Sequence, residues 1–314
     1  MVKPELKKLL EKQQYGFIGE HSAVKICSWT KKSLLDRGVC YKEKFYGIKC
    51  HRCCQMTPSI GFCQNRCVIC WRPVEYTEGK EMKFKVDEPS DIIKNSVPAQ
   101  RTLISGFGGN ENVNKKKLKE AQEPMHYAIS LSGEPTIYPK LSELIRELHS
   151  NGKTTFVVSN GLLPEVLENL EPPTQLYISL DAPNENLLKK VDRPSFKDAW
   201  KRLNKTLEIL KDLKKKTRTT LRITLVKGIN MVNPEQWAEL IKKAEPMFVE
   251  VKAYMWVGAS QDRLAIENMP RHNEVSEFAN KIANYAGYKF IDEQIESRVV
   301  LLMKEDFPER IMKF

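Results

Sequence analysis

The chain is 314 residues long, 41% hydrophobic and 29% charged, and its 51 Lys and Arg against 40 Asp and Glu leave a net charge of +11. This length and apolar content allow a sizeable core and exclude wholesale disorder. The longest apolar runs, such as Tyr127–Leu131 and Val299–Met303, fall far short of the ~20 residues that span a bilayer, and no apolar signal segment follows Met1, so a cytoplasmic protein with no membrane partner is expected.

The first quarter of the chain carries the charge. Residues 1–85 hold 17 basic and 8 acidic side chains, against 34 and 32 in the remaining 229. A surplus gathered in one region favours a polyanionic partner, most simply a nucleic acid. Within this region Met56–Phe62 reads as a first strand, and a helix is expected around Ser90–Leu103. Lys115–Lys119 follows a Gly- and Asn-rich stretch and reads as either a phosphate clamp or a flexible connection. Residues 126–131 form a compact apolar strand that runs into Ser132-Gly133-Glu134-Pro135. Leu141–His149 has helical spacing, with Leu141, Leu144, Ile145 and Leu148 on one face, and Asn151-Gly152 stops it.

The rhythm then continues. Strand Thr154–Val158 leads into Ser159-Asn160-Gly161, helix Pro164–Leu170 follows, and strand Leu176–Leu180 leads into Asp181. A long helix over Ser195–Lys216, strand Thr219–Val226, helix Pro234–Ala244, strand Phe248–Val257, helix Asn273–Tyr285 and a last strand Arg298–Met303 complete the chain. About six strand–helix alternations predict right-handed crossovers and a parallel sheet. Periodicity leaves open a doubly wound sheet or most of a (β/α) barrel; in both, functional groups lie past the C-terminal ends of the strands. Lys211–Arg218 sits at a helix C-terminus, where the macrodipole alone accounts for the charge.

All eight cysteines lie within 44 residues, and the last 244 residues contain none. In a chain neither small nor secreted, such clustering points to metal rather than disulfides. Cys63, Cys67 and Cys70 form a Cys-x3-Cys-x2-Cys run directly after the first expected strand. Three thiolates on one short loop hold three corners of a [4Fe–4S] cube and leave one iron open to a chelating ligand. A zinc site would need a fourth nearby ligand, and the next histidine, His126, is 56 residues on. Among the upstream cysteines, Cys27, Cys40, Cys50 and Cys53 fit a four-thiolate zinc site, while three of them fit a second cluster. Spacing leaves these two readings even.

The triad, with Ser132-Gly133-Glu134-Pro135 after the second strand, resembles the radical S-adenosylmethionine (SAM) superfamily. The resemblance implies a partial (β/α)6 barrel with a basic, cysteine-containing N-terminal extension, divided as residues 1–55 and 56–314. It also implies that Ser132, Gly133 and Glu134 receive the methionine part of SAM, that Ser159, Asn160 and Ser179 hold the ribose, and that Trp256 in the Met255–Val257 stretch meets the adenine. One departure stands out: Ile69 occupies the usual aromatic position before the third cysteine, with Trp71 just beyond.

The segments around Cys27, Cys40 and Cys53, with Gly61–Arg72, Ser130–Pro135, Ser159–Gly161 and Ser179–Pro183, resemble more closely the wybutosine-synthesis branch of that superfamily, over most of the chain. This resemblance implies condensation of N1-methylguanosine in tRNA(Phe), 3′ of the anticodon, with pyruvate to form the tricyclic 4-demethylwyosine base. Two [4Fe–4S] clusters and SAM are the implied cofactors, the second cluster on Cys27, Cys40 and Cys53. Cys50 and Cys54 then become spare thiols. Lys42 is the implied Schiff-base lysine for pyruvate, Lys44 its neighbouring competitor, and the open iron of the second cluster a further pyruvate ligand. An external electron donor and a monomeric enzyme complete the expectation. Rival readings are a glycyl-radical activase, another radical SAM RNA-modifying enzyme and a zinc-stabilised RNA-binding module. The roles of Asp181, Asp192, Arg193 and Lys252 stay open.

Overall fold

The computed structural model describes residues 2–314. The chain begins with helix α1 (Pro4–Lys12), then the short strands β1 (Gly16–Phe17) and β2 (Ala23–Lys25), helices α2 (Ser28–Leu34) and α3 (Tyr41–Tyr46), and strand β3 (Cys53–Thr57). Helices α4 (Pro89–Ile104) and α5 (Lys115–Ala121) precede β4 (His126–Ile129), α6 (Leu141–Ser150), β5 (Thr154–Ser159), α7 (Pro164–Glu168) and β6 (Gln175–Ser179). Next come α8 (Glu185–Val191), α9 (Ala199–Leu213), β7 (Arg218–Leu225), α10 (Pro234–Ala244) and β8 (Phe248–Ala253). The chain ends with α11 (His272–Ala286), β9 (Lys289–Gln294) and β10 (Val299–Met303).

One sheet joins all ten strands in the order β1-β2-β3-β4-β5-β6-β7-β8-β10-β9. Strands β3 to β8 are parallel, each joined to the next through helical crossovers. Antiparallel strands extend both ends: β2 and β1 beyond β3, β10 and β9 beyond β8. The architecture is the expected partial (β/α)6 barrel, lengthened at each edge.

The two sheet faces bury different residues. Ile129, Val157, Leu176, Ile178, Leu221, Ile223, Val249 and Val251 pack against the helices outside. The inner face carries Phe156, Val158, Tyr177 and Phe248, and Tyr41, Phe45 and Tyr46 of α3 pack onto it. Helix α3 therefore plugs the concave interior. Its last residue meets Gly47, whose left-handed backbone (φ 79°) ends the helix and allows the Met312 backbone to approach closely.

Several expectations shift. The first strand lies earlier than Met56–Phe62, because Pro58 has no N–H to continue the ladder and the chain turns towards Cys63. The expected division at residues 55 and 56 falls inside β3, and β2 hydrogen-bonds to it. The last strand is antiparallel, since β9 and β10 are joined by only the short turn Ile295–Ser297, too short for a crossover. Lys115–Lys119 belongs to α5, capped by the Asn114 side chain, and Lys117 pairs with Asp36 at 2.7 Å. That segment is ordered helix, not a flexible connection.

Candidate functional site

Two thiol groups occupy the concave side of the sheet. The first lies where the loops after β3 to β6 converge. Cys63, Cys67 and Cys70 share one cavity with Ser132, Gly133, Glu134, Ser159, Asn160 and Ser179. Asn65, Trp71, Arg72, Asp181, Asp192 and Arg222 also line it. Nine expected site residues from four separate loops thus meet in one place.

Their geometry follows from the turns. Gly133 adopts φ 77°, and any Cβ there would collide with the Ser59 and Phe62 carbonyls. Only glycine lets this turn nest against the loop leading to Cys63. The next amide, Glu134 N–H, donates to Phe62 O at 2.7 Å. The Glu134 carboxylate is buried and accepts from Thr136 N–H (3.1 Å), Thr136 Oγ1–H (2.6 Å) and Asn160 N–H (2.8 Å). Burial raises its pKa, and these hydrogen bonds oppose the rise. The Asn160 side chain donates to Gln64 Oε1 at 3.0 Å, tying the loop after β5 to the triad loop.

The thiols lie beside one buried cation. Burial pushes the Cys63 thiol up and the Cys67 thiol well above its ordinary range. Burial also works against the Arg72 charge, but Cys63, Cys70 and Cys67 outweigh it and hold the guanidinium charged. The same three sulfurs therefore favour a positive neighbour, which a metal cluster supplies more strongly than one arginine. Several buried polar atoms here have no partner: Gln64 Nε2, Asn65 Oδ1, Asp192 Oδ1 and Arg222 Nε. Such atoms are rare in a finished core. Three thiols and unsatisfied donors and acceptors around one cavity fit a cluster together with a polar, multiply hydrogen-bonding ligand such as SAM.

The second group is assembled from three elements. Cys27 caps α2, accepting Thr30 N–H at 3.3 Å; Cys40 precedes α3; Cys53 opens β3. Burial pushes Cys40 up to about 12, with Cys27 adding to the rise, and pushes Cys53 further, with Cys27 and Cys40 adding. These three sulfurs feel one another across the plugged interior. Among the described residues, neither group is drawn into the tight cage of a single metal ion. Cys50 instead accepts the Cys40 N–H through its sulfur at 3.4 Å, and Cys54 is buried in the outer core.

Lys42 and Lys44 part company on α3. The Lys42 ammonium lies 4.2 Å from the Tyr177 ring centre and 5.6 Å from that of Phe156, inside the barrel. Lys44 points outward, where it donates to Glu293 O at 2.6 Å and pairs with Asp292 at 2.9 Å. Burial lowers the Lys42 pKa, Glu250 and Cys40 oppose this, and Arg222 adds to it. The structure places Trp256 outside the cavity lining: its indole N–H donates to Leu264 O at 2.8 Å.

Sequence reasoning passed over Arg72, Arg222 and Glu250. Glu250 is fully buried and accepts from the Tyr41 and Tyr46 hydroxyls at 2.9 and 2.8 Å, which anchors α3. A charged residue in the middle of Phe248-Val249-Glu250-Val251, or of Leu221-Arg222-Ile223, was the available signal.

Known proteins agree with this arrangement. The Radical SAM superfamily model matches residues 57–241, and the Wyosine base formation model matches residues 243–304. The tRNA 4-demethylwyosine synthase of Pyrococcus abyssi is 50% identical, over 96% of this chain and 89% of its own. That of Methanocaldococcus jannaschii is 44% identical over 98% of both chains. A solved structure of TYW1 with a lysine–pyruvate adduct bound superposes with a TM-score of 0.89 at 41% identity, over 99% of this chain and 100% of that one. The chain belongs to the radical SAM tRNA 4-demethylwyosine synthases.

Proposed function

We propose that this enzyme joins two carbons of pyruvate to N1-methylguanosine in tRNA(Phe), 3′ of the anticodon, and so forms 4-demethylwyosine. The bond to the pyruvate carboxyl carbon is cleaved, and that carbon is lost. The observation that carries this reading is Lys42, held inside the barrel on a helix whose N-terminal neighbour is Cys40, while Lys44 is tied up outside. The related TYW1 structure holds a lysine–pyruvate adduct, which supports the same role for Lys42 here.

Cys63, Cys67 and Cys70 hold the site cluster, and Ser132, Gly133, Glu134, Ser159, Asn160 and Ser179 bind SAM against it. Cys27, Cys40 and Cys53 hold a second [4Fe–4S] cluster. Bound there, the reduced site cluster and SAM supply a 5′-deoxyadenosyl radical able to take hydrogen from the N1-methyl group. The Lys42 amine adds to the pyruvate carbonyl carbon and water leaves, which fixes pyruvate as an imine. Lowering of the Lys42 pKa by burial favours the neutral amine that this addition requires. Tyr177 and Phe156 wall this space and keep water from reactive carbon. The basic N-terminal region receives the tRNA, an external donor supplies electrons, and the enzyme acts as a cytoplasmic monomer. No helix among the described residues is long and apolar enough to cross a membrane.

The test mixes anaerobically reconstituted protein, SAM, pyruvate, dithionite and methylated tRNA. A base enlarged by two carbons, seen by mass spectrometry alongside 5′-deoxyadenosine, is the expected result. Release of 5′-deoxyadenosine with an unchanged base would overturn the pyruvate assignment.

A further inference from the structure

Behind the first cavity, the inner face of the sheet carries three cations close together. Parallel pairing sets Ser179 beside Arg222, Arg222 beside Glu250 and Thr224 beside Lys252. Paired residues of parallel strands project to the same side, and alternate residues of one strand share a face, so Arg222, Glu250 and Lys252 share the inner one. Lys42 enters from α3 and lies over Tyr177 on the neighbouring strand. Lys252 lies over the Tyr41 ring at 5.8 Å.

Glu250 opposes the charge of this cluster from within it, yet closes no ion pair with any of the three cations. Many surface cations of this protein form ion pairs, as Lys44 does with Asp292 and Lys214 with Glu245. Among the described residues, Lys42, Arg222 and Lys252 form no ion pair, although all three are partly buried. Glu250, between them, has its two oxygens taken by Tyr41 and Tyr46. Asp181, across the cavity, accepts Thr224 N–H at 3.2 Å. Arg222 reaches only Ser179 Oγ, at 3.4 Å, and its buried Nε has no partner. Burial first, then the adjoining Arg222 charge, brings the Lys252 pKa down to about 8, so it is still protonated at pH 7.

Cations held out of water without partners call for an anion. We propose that Lys252 and Arg222 form the carboxylate-binding half of a small α-keto acid site, of which Lys42 is the carbonyl-binding half. The inference rests on the reading of Lys42 given above. Arg222 offers the planar fork that suits a carboxylate, and Lys252 a point charge beside it. The aromatic rings of Phe156, Tyr177 and Tyr41 surround the lysines and suit a methyl group on the keto acid rather than a second charge. SAM also carries a carboxylate, so the test separates the two sources.

Cluster-loaded protein is incubated with pyruvate, or with pyruvamide, which keeps the carbonyl and lacks the charge. The imine is then trapped with cyanoborohydride and located by peptide mass spectrometry. Lys252→Met and Arg222→Gln should each raise the pyruvate concentration for half-maximal trapping about 10- to 100-fold, as expected for losing a charged hydrogen bond. Pyruvamide should shift less than about threefold, because it lacks the group being recognised. Equal shifts for both compounds, or no shift for either, overturn the proposal. SAM affinity, measured by equilibrium dialysis, should stay within about threefold in Lys252→Met, because Lys252 lies outside the SAM cavity that Arg222 lines. An Arg222→Gln variant that loses SAM affinity while pyruvate trapping is unmoved overturns the assignment of Arg222. If Arg222→Gln does not fold, Arg222→Lys keeps the charge without the fork and should give an intermediate shift; an unshifted Arg222→Lys overturns the role of the fork. Absence of any adduct on Lys42 in the unaltered protein overturns the Lys42 reading itself. An adduct on Lys42 with unmoved pyruvate dependence overturns only the carboxylate site.

Discussion

The two thiol triads differ in how the chain brings them together. Cys63, Cys67 and Cys70 sit on one loop of eight residues, so local geometry alone gathers them. Cys27, Cys40 and Cys53 come from α2, α3 and β3, and only the docking of α3 into the barrel assembles them. Glu250 makes that docking specific, since its buried carboxylate would be costly without the Tyr41 and Tyr46 hydroxyls. The first triad is a local motif presented by a barrel. The second is a property of the barrel interior, and the residues that build it also deliver Lys42. A site of this kind can bind a second substrate against an inner wall while the mouth stays free for SAM and a nucleobase.

Separating the triads by mutation gives the largest expected effects. Cys63→Ala should abolish 5′-deoxyadenosine release, whereas Cys40→Ala should retain it and lose the enlarged base. Iron content in each variant should fall from about eight to about four atoms per chain. Loss of both activities in Cys40→Ala would show that the two groups do not work separately. Next in size is Lys42→Ala, expected to cut base formation by roughly two orders of magnitude while SAM cleavage persists. Lys44→Ala, on the outer face, should change base formation less than about twofold. Normal yield from Lys42→Ala would remove it from the chemistry.

The contrast also explains what could be read in advance. The strands β4 to β7 were legible as short, compact runs buried on both faces, the amphipathic helices between them because their burial follows a period of 3.6, and the first triad because its spacing is short. The turn at Gly133 was legible as sequence, and its cause became visible only in the close approach of Ser59 and Phe62. Helix α3 was not legible: its six residues, Tyr41–Tyr46, are too few for periodicity to register, and tertiary contacts hold it. Arg222 and Glu250 were hidden for a related reason. A charge inside a strand signals something only when the strand is known to be buried on both faces. Phe248–Val257 reads as one apolar run, yet strand β8 ends at Ala253, earlier than the expected Val257; the chain beyond it returns to the cavity, where Ala259 N–H donates to Trp71 O at 2.9 Å.

The same asymmetry extends to charge, with a smaller effect. Lys214 and Lys215 are already paired, with Glu245 and Asp212 at 2.9 and 2.8 Å. Lys31 donates to the neutral Gln14 side chain, and Lys32 lies over the Trp29 ring at 4.4 Å, so both keep their charge available to a polyanion. Reversing the sign of Lys31 and Lys32 should weaken tRNA binding about tenfold at low salt and flatten the salt dependence by about 0.9 in log–log slope for each phosphate no longer neutralised. The same change at Lys214 and Lys215 should alter affinity less than about twofold. Equal losses from the two pairs would place the tRNA elsewhere.

The smallest effect concerns the floor under the second triad. His126 pairs in register with Cys53 across the β3–β4 ladder. Its Nε2 accepts Lys49 N–H at 3.2 Å, which leaves Nδ1 to donate to Thr154 Oγ1 at 2.7 Å, so both ring nitrogens are used by the neutral form. Burial, with Arg52, His51 and Lys49 adding to it, lowers its pKa to about 3. Below about pH 6.5 the unfolded chain takes up a proton that folded His126 refuses until about pH 3, so stability falls as pH falls through this window. One such group gives at most about 1.4 kcal/mol per pH unit. His21 is also buried and also lowered, so it contributes in the same direction. In thermal melts of metal-free protein between pH 6.5 and 5, His126→Gln should therefore reduce the acid slope by one proton without removing it. An unchanged slope would mean that His126 is protonated in the folded chain, and that the Lys49 hydrogen bond to its ring is not made in solution.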